Sequence, residues 1–332
     1  MLPNSDPPIP RSLCRLASAL TICLAVTTCG APAINAQSSA ETQELQTLTV
    51  AEVGFAARYA PPANNTSALP VIVLNGSNGG YPPSILAESL RSSGHAVLLL
   101  AYVNRLGMPP LPGVAERLHH VPLEYIEGAI DWLQNRTGKP VVLIGESRGA
   151  ELALLLASRR GDIAGVVAFS PSSVVWPAAR FLPTDSVGPA WVTRHGALPF
   201  LEEVADAGLS PVERFSRALD RGVGEARIPI ERVQGRVLLV AGDDDRIWPS
   251  GIMADSLFAA ARRHGRPVIE QLRYPDAGHL LMGPGPGLER YVSERWVVEF
   301  GGTAVGNRAA REDAWSKTLS FLSMISSNHK SR

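Results

Sequence analysis

Apolar and polar positions along the 332-residue chain follow two rhythms that alternate with each other. Short, unbroken apolar runs bounded by turn residues recur as "LPVIVLNGS" (69–77), "HAVLLLAYV" (95–103), "PVVLIG" (140–145), "IAGVVAFS" (163–170) and "RVLLVAG" (236–242), and "PVIEQLRY" (267–274), with polar residues interleaved, reads as one more strand. A strand without polar alternation presents apolar side chains on both faces, so each run predicts a strand covered from both sides. Between the runs, apolar residues recur at helical spacing. "SILAESLRSSG" (84–94) predicts a helix stopped at Gly94, and Pro122 to Gln134 places Leu123, Ile126, Ile130 and Leu133 on one face. "GAELALLLAS" (149–158), a stretch around 251–263 and "REDAWSKTLSFLSMI" (311–325) complete the set. Strand and helix in strict alternation predict an α/β domain, its central sheet mainly parallel with helices on both faces.

Two segments depart from this rhythm. "LQTLTVAEVGFAARYAPP" (45–62) alternates apolar and polar positions and predicts one or two exposed edge strands. Residues from about 171 to 230 are rich in Pro, Gly, Trp and charge and carry no buried-strand run. They are expected to form an insertion that folds over one edge of the sheet as a lid. The expected organisation is therefore 1–36 as a leader, 37–68 as a tether with edge strands, and 69–332 as the α/β domain.

Sites on parallel sheets gather at the carboxyl ends of the strands, so the residues following each apolar run are the ones to inspect. Gly145-Glu146-Ser147-Arg148-Gly149 stands between a predicted buried strand and an apolar helix and fits G-x-S-x-G. In that pattern the chain reverses sharply, holding the serine in a strained conformation with its hydroxyl presented, and the glycines leave room for the reversal. A helix-capping serine is the competing reading, but it leaves the paired glycines unexplained. This places the chain in the α/β-hydrolase fold class. The order of partners on that fold is Ser, then Asp or Glu, then His.

"RVLLVAG" runs into Asp243-Asp244-Asp245, of which Asp245 is expected to be the orienting carboxylate, with Asp244 in reserve. A solvated acidic turn competes with this reading; a calcium loop lacks the remaining oxygen ligands. The next strand leads to Pro275-Asp276-Ala277-Gly278-His279, and His279 is expected to be the base. The other histidines fit less well: His95 begins a strand, His119 and His120 open a helix, His195 lies in the insertion, His264 ends a helix and His329 is in the tail. The oxyanion donors are expected to be the backbone N–H of Arg148 and that of Ser77 in the turn "LNGSNGG". That turn lacks G-x-x-x-x-G-K-[ST], which removes a phosphate-cradling reading. No cofactor and no metal site is expected.

Composition adds compartment and excludes partners. With 31 basic and 31 acidic residues the chain has no charge imbalance to draw it to nucleic acid or an anionic membrane. Arg11 and Arg15 precede an apolar run from Leu16 to Thr28, and small residues end at Ala36. That three-part pattern predicts a cleaved secretory leader, with export to the periplasm or outside and no stable membrane insertion afterwards. A lipid anchor on Cys29 is a weaker alternative because Thr28 precedes it. Cys14, Cys23 and Cys29 all fall within the leader, so thiol chemistry and disulfides are not expected of the mature chain.

The stretches "GSNGG", "VPLEYIEGAIDWL", "GESRGAELAL", "IPIERVQGRVLLVAGDDDRIWPS", "YPDAGH" and "GGT" followed by "AREDAW" together resemble the catalytic domain of the acyl-CoA thioesterase and bile-acid-CoA:amino acid N-acyltransferase family. The resemblance runs from about residue 69 to the end of the chain. It implies a Ser147, Asp245 and His279 triad and a small-molecule acyl thioester as substrate. Transferases of the family carry cysteine as nucleophile, so a serine here implies hydrolysis rather than transfer to an amine. Residues 37–68 are too few for the immunoglobulin-like domain that precedes the catalytic domain in better-known members. Three readings stand: a thioesterase of acyl-CoA type, an exported carboxylesterase acting on an ester without CoA, and a non-catalytic binding protein on the same fold. Trp176, Trp191 and Phe200 are open to two readings, an apolar surface for an acyl chain or packing, while Arg148 and Arg194 are expected as solvated surface charges rather than as contacts for an anionic group.

Overall fold

The computed structural model describes residues 45–64, 67–105, 107–179, 187–206, 208–292 and 297–330. The expected leader over 1–36 and the polar tether over 37–44 lie outside the described residues. In chain order the elements are β1 (Gln46–Leu48), α1 (Val50–Val53), β2 (Ala56–Ala60), β3 (Val71–Leu74), α2 (Ser84–Ser92), β4 (Val97–Ala101), β5 (Val121–Pro122), α3 (Leu123–Thr137), β6 (Val141–Glu146) and α4 (Arg148–Arg159). There follow β7 (Ile163–Phe169), β8 (Trp191–Thr193), β9 (Gly196–Ala197), α5 (Pro211–Asp220), β10 (Arg236–Gly242), α6 (Ser250–His264), β11 (Ile269–Tyr274), β12 (Arg290–Val292), β13 (Val297–Glu299) and α7 (Ala304–Lys330).

Eight strands form the main sheet in the order β1-β2-β4-β3-β6-β7-β10-β11. From β4 to β11 every neighbouring pair is parallel, while β1 and β2 join antiparallel at one edge. The period of two along each strand divides the core. Ile72, Leu74, Leu98, Leu100, Leu143 and Leu239 face a layer built by α3, α4 and α6. Their neighbours Val71, Val73, Val97, Leu99, Ile144 and Val240 face α2 and α7. Both faces of β3, β4, β6, β7 and β10 are therefore covered, which is why these strands read as continuous apolar runs, whereas β11 at the far edge is only partly buried.

β2 differs from its expected exposed-edge position. It lies between β1 and β4, pairs with β4 from Ala56↔Ala101 to Ala60↔Val97, and buries every side chain but Arg58. The compact unit accordingly includes both strands. Between β7 and β10 the described chain forms no strand longer than the three residues of β8. That stretch builds a small core of its own from Val174, Trp176, Val204, Ala218 and Ala226, closed by Trp248 and Met253 from beyond β10.

Candidate active site

Ser147 sits at the joint of β6 and α4 with φ 57° and ψ −122°, a left-handed conformation that a non-glycine residue adopts only under strain. The flanking glycines make the joint possible. A Cβ on Gly145 would stand 2.2 Å from the Gly149 carbonyl oxygen, and one on Gly149 would stand 2.4 Å from that of Asn75. The Ser147 N–H donates to Phe169 O at 2.9 Å, tying the joint to the end of β7. Although Ser147 precedes the first residue of α4, its side chain makes no capping hydrogen bond. The helix-capping reading therefore does not account for it.

The acidic turn after β10 gives each aspartate a separate partner. Asp243 pairs with Arg273, and Asp244 accepts from Arg246 Nε at 2.8 Å and from Gly302 N at 2.9 Å. Asp245 turns inward, 7% exposed, and accepts from Ile247 N at 2.9 Å, Trp248 N at 3.2 Å and Ser250 Oγ at 2.6 Å. Its two oxygens also meet His279 Nδ1 at 2.8 and 3.0 Å. A carboxylate on Nδ1 fixes the tautomer that leaves Nε2 free to take a proton. Burial works against the imidazolium, but the charge and hydrogen bond of Asp245, with a further contribution from Glu146, outweigh it and raise His279 above its ordinary value.

Backbone contacts seat the His279 loop on the strand ends. His279 N donates to Phe300 O at 2.9 Å, and its carbonyl accepts from Ser170 Oγ at 2.5 Å, one residue past the Phe169 that holds Ser147. Trp248 meets the imidazole edge to face at 5.7 Å, and through Phe215 it joins Trp176 in a chain of aromatic contacts. On the other side, the turn after β3 crosses close over the serine: a Cβ on Gly76 would lie 3.3 Å from Ser147 Cβ. Tyr102 Oη donates to Asn75 O, and Asn75 Nδ2 donates to Gly79 O at 3.0 Å, so the turn that carries Ser77 is braced from below.

Arg148 is not the solvated charge expected of it. It is 5% exposed, with Nη1 3.2 Å from the Glu151 carboxylate and Nη2 donating to Trp176 O at 2.9 Å. Glu151 also accepts from Trp191 Nε1 at 2.6 Å. Burial drives Glu151 up to about 7 and Arg148 down, and each charge partly restores the other. Trp176 and Trp191 are fully buried in these contacts, so packing is their role, and Phe200 is half-buried against the main core. Arg194 is exposed at the turn between β8 and β9, as expected. Glu151 escaped the sequence reading, yet it left a signal: it is the only acidic residue in the apolar stretch "GAELALLLAS".

Glu151→Ala is expected to lower the unfolding free energy by about 3–5 kcal/mol, because it strands the Arg148 guanidinium in a dry interior. Urea denaturation measures this, and Glu151→Gln, which retains an acceptor for Trp191, is expected to lose less. A loss below about 1 kcal/mol for the alanine variant would mean that water reaches the pair.

Residues 121–327 match the model of the BAAT / acyl-CoA thioester hydrolase C-terminal family. Human acyl-coenzyme A thioesterase 1 is 30% identical over 262 residues, covering 76% of this chain and 59% of the relative. Mouse acyl-coenzyme A amino acid N-acyltransferase 1 is 28% identical over 261 residues, with 76% and 58% covered. The chain thus spans under two thirds of the length of these relatives. Among solved structures, a puromycin-hydrolyzing peptidase of Mycobacterium tuberculosis superposes with a TM-score of 0.53 at 14% identity, covering 82% of this chain and 37% of that one. The dienelactone hydrolase-like phosphotriesterase P91 from metagenomic libraries gives 0.51 at 15%, with 82% and 92% covered. At these identities the likeness speaks for the fold alone, which is that of the α/β-hydrolases. With its family match extending from β5 almost to the end of α7, the chain belongs to the BAAT / acyl-CoA thioester hydrolase C-terminal family.

Proposed function

We propose that the protein is a serine acyl hydrolase that cleaves a small-molecule acyl thioester through an acyl-enzyme at Ser147. The observation that carries this reading is the inward Asp245 carboxylate on His279 Nδ1, in a molecule that also holds Ser147 on a strained strand-to-helix joint. In the first half-reaction His279 Nε2 takes the Ser147 hydroxyl proton as Oγ bonds to the acyl carbon. The carbonyl oxygen becomes an oxyanion facing the N–H groups of Arg148 and Ser77. Collapse breaks the carbon–sulfur bond, and the imidazolium returns its proton to the departing thiolate. Water then repeats the sequence, releasing the carboxylic acid and restoring the serine. An apolar acyl group suits the surroundings: Leu288, Tyr291, Val292 and Val297 are exposed on and beside the β12–β13 hairpin. That hairpin is tied through Phe300 to the His279 backbone.

The leader expected at 1–36 favours a second reading, an exported esterase acting on an acyl ester that does not carry CoA. Hydrolysis of acyl-CoA and of p-nitrophenyl esters over a series of chain lengths separates the two. Faster turnover of acyl-CoA supports the thioesterase, and preference for the esters supports the second reading. A fluorophosphonate probe is expected to label the wild type and not Ser147→Ala. A folded wild type that neither labels nor turns over any of these acyl compounds would leave only a binding role.

A further inference from the structure

Glu146, the residue before the serine, reaches from the end of β6 to the loop that carries His279. Its Oε1 accepts the N–H groups of Leu281 and Met282, both at 2.7 Å, two and three positions beyond the imidazole. Arg311 of α7 donates to the carbonyls of Leu280, Pro284 and Gly285, at 3.1, 3.2 and 3.2 Å. The segment from Leu280 to Gly285 is thus gripped by a carboxylate on its N–H groups and a guanidinium on its carbonyls. Any apolar residue would have continued the strand, and burying a carboxylate is costly unless it is fully used. Burial does push the Glu146 carboxyl up, against the pull of the two N–H donors and of the charges on His279 and Arg311.

We propose that Glu146 is a positioning residue with two actions on His279. It pins the histidine loop to the strand end that presents Ser147, and its negative charge, together with that of Asp245, stabilises the imidazolium formed when the serine gives up its proton. Among the described residues the charges that act on the imidazole are these two carboxylates, one from the β10–α6 turn and one from β6; the Trp248 ring against it is neutral, and Arg311 acts on Glu146. The proposal rests on the reading of Ser147, Asp245 and His279 as a triad. A purely structural pin would be kept by glutamine, whose amide oxygen can accept the same two N–H groups, and would leave the proton affinity of the ring unchanged.

The test is an NMR titration of the His279 ring in wild type and Glu146→Gln, with the signal assigned by its loss in His279→Asn. The pH profile of kcat/KM on an activated acyl ester is measured alongside. Removing a negative charge disfavours the imidazolium, so the His279 midpoint and the acid limb of the profile are both expected to move to lower pH, by about half a unit or more. At the pH optimum kcat is expected to fall at least tenfold with KM changed little. An unmoved His279 midpoint in folded Glu146→Gln overturns the proposal. Should that variant fail to fold, Glu146→Met, close in volume and without a charge to bury, carries the same comparison with the same outcomes. A shifted midpoint in a protein that hydrolyses no ester or thioester would uphold the charge on His279 and overturn the hydrolase reading instead.

Discussion

Ser147→Ala is expected to reduce kcat on an activated acyl ester by about a million-fold, leaving the fold intact. The magnitude follows from what the hydroxyl does: without Oγ no acyl-enzyme forms, and only binding and the oxyanion donors remain to assist water. The fold survives because the side chain contributes little to it. Ser147 makes no capping bond, while its N–H bond to Phe169 and the carbonyl bonds to Ala150 and Glu151 belong to the backbone and are unaffected. The strained φ of 57° remains in the variant, so a thermal midpoint within a few degrees of the wild type is expected. His279→Ala should cost about as much, and the double variant no more than either, because residues acting as one unit are not additive. Stopped-flow hydrolysis of a p-nitrophenyl ester reads all three. If the losses multiply instead, the two side chains act independently and the triad reading fails.

Much of the fold was legible because burial on both faces marks the strands so plainly. The run "RVLLVAG" coincides with β10, and Leu123, Ile126, Ile130 and Leu133 are all buried along α3. His279 could be singled out as a candidate base because the fold puts that group after a late strand, and Asp245 as its candidate partner because the carboxylate follows the strand before it; the contact between the two is present. What escaped depended on partners distant in sequence. The interior place of β2 is set by β4, some forty positions on, which alternation within β2 cannot reveal. The burial of Arg148 depends on Glu151 one turn along and on tryptophans contributed by the stretch beyond β7; composition alone sends an arginine to the surface. The same holds for Glu146, whose role becomes visible only when Leu281 and Met282 are seen against it.

Three adjacent aspartates offer the sharpest internal control. Asp245→Asn is expected to reduce kcat by about 10⁴-fold, whereas Asp243→Asn should leave activity within a few-fold of wild type. An asparagine at 245 still fits the space and accepts from the Ile247 and Trp248 N–H groups through its carbonyl, but its amide can donate to His279 Nδ1. That donation fixes the opposite tautomer, with the proton on Nε2, where no proton can be accepted from Ser147. Asp243 meets only Arg273 among its side-chain partners described here, and Arg273 keeps Asp255 at 2.7 Å, so the exposed pair is worth at most about 1 kcal/mol. Asp244 holds the Gly302 N–H and should fall between the two. The pH profile supplies a second readout. A base must be neutral to act, and Asp245 with Glu146 raises His279 above its usual value of 6.5, so wild-type kcat/KM should climb with pH through a midpoint above that value. Loss of the Asp245 charge removes the largest favourable influence on the imidazolium, so the residual activity of Asp245→Asn should hold to lower pH. If Asp244→Asn instead shows the deep loss and the shifted limb while Asp245→Asn does not, the orienting carboxylate is Asp244, and the hydrogen bonds gathered on Asp245 serve only to shape the turn.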